Sequence, residues 1–90
     1  MAVRVEFAPN LQKHVSVPVL NVEAETVARA LHAAFEEEPR VQSYVLDDQG
    51  AIRHHVVVFV NDQTIRDRER QSDAVSPGDR VYVFQALSGG

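Results

Sequence analysis

The sequence predicts an α+β domain: a mixed four- to five-stranded sheet with one helix packed on one of its faces. Three observations carry that expectation. Residues 3–7 and 80–86 alternate apolar and polar side chains, as half-buried strands do. Residues 56–60 form a short β-branched run, Val56-Val57-Val58-Phe59-Val60. Only one stretch between them has helical spacing, with Val27, Leu31 and Phe35 four residues apart and Ala30 and Ala34 on the same side. The order strand, strand, helix, strand, short strand, strand puts the helix on one sheet face and leaves the other bare. Ninety residues are one domain, expected over 1–90 with a short tail at 87–90.

In the first strand Val3, Val5 and Phe7 alternate with Arg4 and Glu6, and Pro9-Asn10 ends it. Val15, Val17 and Val19 alternate with His14, Ser16 and Pro18 and predict a second strand, the return arm of a hairpin. Pro18 cannot donate to a ladder, so that strand belongs at a sheet edge. Thr26 is placed to cap the helix, its hydroxyl accepting from a first-turn N–H, and Pro39 stops it. Glu36, Glu37 and Glu38 sit at the end that the helix dipole makes unfavourable for anions and are expected to face solvent.

Residues 39–51 are polar, with Asp47, Asp48 and Gly50, and read as a loop containing a turn of 3₁₀ helix. The third strand spans 55–60 and is apolar on both faces. Asn61-Asp62 suits a tight turn into a short edge strand at 63–66. Residues 66–72 form a charge-rich surface stretch, and Ser76-Pro77-Gly78-Asp79 is a turn signal. The last strand, 80–86, turns Val81 and Val83 one way and Tyr82 and Phe84 the other. The covered face should then hold Val3, Val5, Phe7, Val15, Val17, Val56, Val58, Val60, Val81 and Val83 against Val27, Leu31 and Phe35. The bare face should display Val57, Phe59, Tyr82 and Phe84. Two aromatics with flanking valines on neighbouring strands make one patch suited to a protein partner, unless the 39–51 loop folds over it.

A net charge of −4 and a pI near 5.4 argue against nucleic acid as the main partner. The chain has no cysteine, so disulfides, thiolate metal sites and a cysteine nucleophile are excluded. Any sulfur it handles cannot sit on a side-chain thiol. The alternating N-terminus is unlike a signal peptide and no stretch has transmembrane length; the expected compartment is the cytoplasm, with no membrane partner. His54 and His55, adjacent in a strand, should point to opposite faces, and His14 and His32 lack nearby ligand partners, so no metal site is expected. The carboxylates lie in solvated segments, Ser72, Ser76 and Ser88 lack an activating base, and no glycine pattern cradles phosphate. No catalytic residue is assigned.

The last strand runs straight into Ser88-Gly89-Gly90. A Gly-Gly pair has no Cβ with which to pack, yet it can enter a channel too narrow for side chains and present the α-carboxylate of Gly90.

On these residues the chain resembles the MoaD/ThiS family of ubiquitin-like β-grasp sulfur carriers. The resemblance covers nearly the whole chain. Thr26-Val27 opening the helix, Val58-Phe59-Val60-Asn61-Asp62, Pro77-Gly78-Asp79-Arg80-Val81 and above all Ser88-Gly89-Gly90 carry it. It implies a sheet ordered 2-1-5-3-4 with the first and last strands parallel at its centre. It also implies a protein cosubstrate and not an enzyme. An E1-like adenylyltransferase of MoeB/ThiF type, using ATP, adenylates the C-terminal glycine, and sulfur then displaces AMP to leave a thiocarboxylate. The carrier itself binds no cofactor. Carried over, Gly90 bears the sulfur, Gly89 and Ser88 give access to the partner's tunnel, and Phe84 matches an aromatic that faces partners. A partner-facing Phe near the start of some members has no counterpart, because Phe7 belongs to the core and Ala8 takes the outward position. Gln85-Ala86 replaces the Pro-Pro found before the tail in many members. Residues 53–66 most resemble the CysO-like, cysteine-synthesis carriers, and the long 39–51 loop also suits molybdopterin-synthase small subunits and archaeal small modifiers. The implied partners are the activating enzyme, a sulfur donor and a sulfur-acceptor biosynthetic enzyme. Two other classes stay open: a modifier joined to lysines through Gly90, and a plain interaction module.

Overall fold

A computed structural model of the protein describes residues 2–9 and 18–86. Five strands and two helices follow one another as β1 (Val3–Phe7), β2 (Leu20–Val22), α1 (Val27–Glu37), a 3₁₀ turn (Pro39–Val41), α2 (Gln42–Val45), β3 (Val56–Val60), β4 (Gln63–Thr64) and β5 (Arg80–Gln85). The strands form one sheet ordered β2-β1-β5-β3-β4. β5 lies at its centre, parallel to β1 and antiparallel to β3, with Val5 opposite Val81 and Val58 opposite Val83. This is the ubiquitin-like β-grasp topology.

The core is the covered sheet face closed by α1. Val3, Val5, Phe7, Val56, Val58, Val81 and Val83 meet Val27, Ala30, Leu31, Ala34 and Phe35, all buried. Strand parity produces this along β1, where every second residue is buried, and along β5 through Val83, with Gln85 exposed at the strand's end. Val60 is only half-buried, at the end of β3. Thr26 caps α1 as expected: its Oγ1 accepts from Arg29 N at 3.2 Å. The remaining first-turn donors are taken by a neighbouring loop, with Val27 N on Asp73 O at 2.9 Å and Ala28 N on Gln71 O at 2.8 Å. At the other end Glu36 and Glu37 are exposed, and Glu38 pairs with Arg40 at 3.1 Å.

Several expectations are corrected. The second strand is Leu20–Val22, and Val19 stands before it, exposed. Val15 and Val17, expected in that strand and in the core, lie outside the described residues. β2 is nonetheless an edge strand paired antiparallel with β1. β3 begins at Val56, so His54 and His55 sit in a turn, with ring centroids 5.4 Å apart and edge to face, instead of on opposite faces of a strand. β4 is two residues long, although Ile65 N still donates to Val58 O at 3.0 Å.

The 39–51 segment contains its 3₁₀ turn but adds a one-turn helix, α2, so the described residues hold two α-helices and not one. Val41, Val45, Leu46 and Ile52 are buried in the core, which places this segment's apolar side chains with the covered face and not over the bare one. Residues 66–73 are more than a charged surface stretch. Asp67 accepts from Arg70 N and Ser72 Oγ, Asp73 from Arg66 N and Asp67 N, and Arg68 Nη2 reaches Arg53 O and Val56 O at 2.7 Å each. Gln71 is buried at φ 53° and its amide donates to Gly50 O and Arg68 O. Ala8 is also buried and not outward: it lies just past β1, its N–H bound to Val83 O at 2.8 Å.

Candidate functional site

Alternation along β5 puts Arg80, Tyr82 and Phe84 on the open face. β3 adds Val57 and Phe59 beside them, with Val57 opposite Phe84 and Phe59 opposite Tyr82. β1 adds Arg4 and Glu6 from the other side, with Glu6 opposite Tyr82. The four predicted partner-binding residues, Val57, Phe59, Tyr82 and Phe84, are therefore brought together on one surface. Each is half-buried and not fully bare, because they shield one another. The Phe59 and Phe84 rings stack with centroids 5.6 Å apart and planes 10° apart, and the Tyr82 ring tilts against Phe84 at 6.0 Å. Offset stacking of this kind adds about 0.5–1.5 kcal/mol beyond area burial.

One end of the aromatic row is polar. The Arg80 guanidinium lies 4.4 Å above the Tyr82 ring. It donates twice to Glu6, Nε to Oε1 at 3.2 Å and Nη2 to Oε2 at 2.9 Å, while Arg4 approaches the same carboxylate at 3.6 Å. The hydrogen-bonded Arg80 holds the Glu6 carboxyl below the usual Glu range, and Glu6 in turn raises Arg80. Composition and periodicity gave no sign of this pair, because its two members are 74 residues apart and meet only through the parallel β1–β5 pairing.

The other end of the row leads to the tail. Ala86 N donates to His55 O at 2.8 Å, the last described anchor before the C-terminal residues. Ser88, Gly89 and Gly90, the predicted tail and covalent site, lie outside the described residues. Gly90 is the sixth residue after Phe84, a reach of roughly 20 Å for an extended chain. At the opposite end of β5 the turn at Gly78, with φ 93°, is tied down by Asp79. Its carboxylate accepts from Ser76 N at 2.8 Å and from Asn61 Nδ2 at 3.1 Å, which fastens the β3–β4 turn to the start of β5. Asn61 itself has φ 55°, a conformation Asn tolerates better than most residues.

Among the described residues no group of three or more His, Cys, Asp or Glu side chains could hold a metal ion. No helix among them is long and apolar enough to cross a membrane.

Comparison with known proteins adds to this geometry. The family model described as the ThiS family matches residues 7–90. No curated protein matches the sequence significantly. Among solved structures the chain is similar to SAMP1 from Haloferax volcanii, at 24% identity over 100% of both chains with a TM-score of 0.83. It is also similar to a chain of the BexX/CysO complex from Amycolatopsis orientalis, at 20% identity over 99% of this chain and 100% of that one, TM-score 0.82. A third is a chain of the complex of subunits 1 and 2 of molybdopterin-converting factor from Helicobacter pylori, at 17% identity over 100% of both, TM-score 0.62. At such identities these structures establish the shared fold.

Proposed function

The chain belongs to the ThiS family of ubiquitin-like sulfur carriers, proteins on which partner enzymes act and not enzymes themselves, and from that premise we propose that Gly90 is the residue on which sulfur is carried. A carboxylate is a poor electrophile. An E1-like adenylyltransferase of MoeB/ThiF type removes that obstacle: a Gly90 carboxylate oxygen attacks the α-phosphorus of ATP, pyrophosphate leaves, and an acyl adenylate forms. Sulfide supplied by a donor then attacks the activated carbonyl, the bond to AMP breaks, AMP leaves with its electron pair, and a thiocarboxylate remains. ATP belongs to the partner, and the carrier needs no cofactor of its own. With no cysteine in the chain, the sulfur is not carried on a side-chain thiol.

The observation that carries this reading is the pair Gly89-Gly90 shortly after β5 in the sequence of a chain of this family. The Val57, Phe59, Tyr82 and Phe84 face docks the activating enzyme while Ser88, Gly89 and Gly90 extend into its active site. Buried aromatic anchors are the usual centres of such interfaces. The acceptor that finally receives sulfur is a biosynthetic enzyme making cysteine, molybdopterin or a related sulfur-containing product. Adenylation is tested by isotope exchange between pyrophosphate and ATP on the adenylyltransferase. The full chain supports exchange and a chain lacking Gly90 does not; equal exchange by both sinks the proposal.

A second reading is a protein modifier joined through Gly90 to lysines. The similarity to a protein named small archaeal modifier protein 1 favours it. Gly-Gly remnants on lysines in digests of the source cells support this role, and their absence counts against it.

A further inference from the structure

We propose that the Glu6–Arg80 ion pair is a positioning device for the docking face, fixing the Tyr82 ring before a partner arrives. The inference rests on the docking role given to that face above. Along β5 the Tyr82 ring lies between Arg80, 4.4 Å from its centroid, and Phe84 at 6.0 Å. Across the sheet it faces Phe59 on one side and Glu6 on the other. Two of these four neighbours, Phe84 and Phe59, are held by their mutual stack. Arg80 is the long, flexible neighbour, with a side chain 45% exposed. Left alone it would sweep through many rotamers and leave one face of Tyr82 uncovered. Two hydrogen bonds to a single carboxylate fix both the place and the plane of the guanidinium, which a single contact could not do.

The register makes the pair more than an incidental surface contact. Arg4 and Arg80 stand directly opposite each other on β1 and β5, and like charges so placed repel. Glu6, two residues along β1 on the same face, accepts from Arg80 and lies 3.6 Å from Arg4. It thereby bridges the two arginines and offsets their repulsion, while holding the Arg80 head group over Tyr82. The face is preformed, so a partner need not order Tyr82 on binding, and affinity improves by the rotamer freedom already given up.

The test compares wild type with Glu6→Gln, Arg80→Lys and Phe84→Ala. In the free protein, side-chain protons of Arg80 above the Tyr82 ring should show upfield ring-current shifts by NMR. Those shifts should collapse toward random-coil values in Glu6→Gln. Titration against the purified adenylyltransferase that activates the chain should then show Glu6→Gln and Arg80→Lys weakened about two- to fivefold, with melting temperatures close to wild type. Lysine keeps the charge but lacks the planar fork, so wild-type affinity in Arg80→Lys would mean that charge alone acts, and the positioning role falls. Unchanged affinity in Glu6→Gln beside a weakened Phe84→Ala overturns the proposal but leaves the docking face standing. Unchanged affinity in Phe84→Ala overturns both.

Discussion

Replacing Phe84 by Ala separates what the open face does for folding from what it does for binding. In the free protein the Phe84 ring is half-buried, stacked on Phe59 at 5.6 Å and tilted against Tyr82 at 6.0 Å. Losing those ring contacts and part of the buried area should cost about 1–2 kcal/mol. For a domain of this size that lowers the melting temperature by roughly 5–15 °C, and the variant stays folded because the covered face, built from Val81 and Val83 of the same strand, is untouched. At an interface the same ring, desolvated completely, is commonly worth about 2 kcal/mol or more, near thirtyfold in affinity. Calorimetric titration against the adenylyltransferase, with a thermal melt of each sample, reads both terms. The expected result is a folded variant that binds at least about tenfold more weakly. Equal affinities, or a variant that does not fold, would refute the assignment of Phe84 to an interface.

Other consequences follow from the core and the loops. Leu31 is 1% exposed at the centre of α1, and Leu31→Ala should cost about 2–5 kcal/mol in denaturant melts; a loss well under 1 kcal/mol would mean the helix does not close the core as described. Gln71→Ala removes the amide that ties Gly50 O to Arg68 O; Arg68 O keeps its bond from Ile52 N, so the loss should be about 0.5–1.5 kcal/mol, and an unchanged melt would show that the 66–73 loop is not structural. Acid should destabilise the fold through three carboxylates held below their ordinary values: Glu6 by Arg80, Asp67 chiefly by the Ser72 hydroxyl, and Asp79 chiefly by Ser76 N–H. Each is charged in the fold at a pH where its unfolded form already binds a proton. Their contribution is thus complete above an unfolded value near 4 and disappears as pH falls through the lowered folded values. Melting temperatures taken from about pH 6 to about pH 2.5 should fall most steeply below pH 4 or so, and Asp67→Asn should flatten that slope; a flat wild-type profile contradicts the three bonding patterns.

The alternation of β1 and β5 and the four-residue spacing of α1 are local patterns, so the helix, its Thr26 cap, the covered face and the membership of the aromatic patch could all be read from the sequence. The sheet order came from the family resemblance and not from periodicity. What escaped depends on distant pairing. The Glu6–Arg80 bonds need β1 and β5 side by side. The burial of Gln71 and the capping of α1 by residues 71 and 73 need the 66–73 loop folded back on the helix; its run of charged residues pointed to solvent. Val15, Val17 and Val19 alternate as convincingly as the Leu20 and Val22 that pair with β1, so alternation alone does not pick out Leu20–Val22 as the paired segment. Val41 and Val45 were hidden in a polar stretch because a single helical turn is too short to show a period.

The central claim is that Gly90 carries sulfur, and intact-mass spectrometry tests it most directly. The protein is incubated with the adenylyltransferase, ATP and a sulfide donor, then weighed whole and fragmented. The account predicts a gain equal to replacing one oxygen by sulfur, confined to the C-terminal fragment holding Gly90 and dependent on ATP. An unchanged mass with an enzyme that does adenylate the chain, or a sulfur gain on any other fragment, would contradict it.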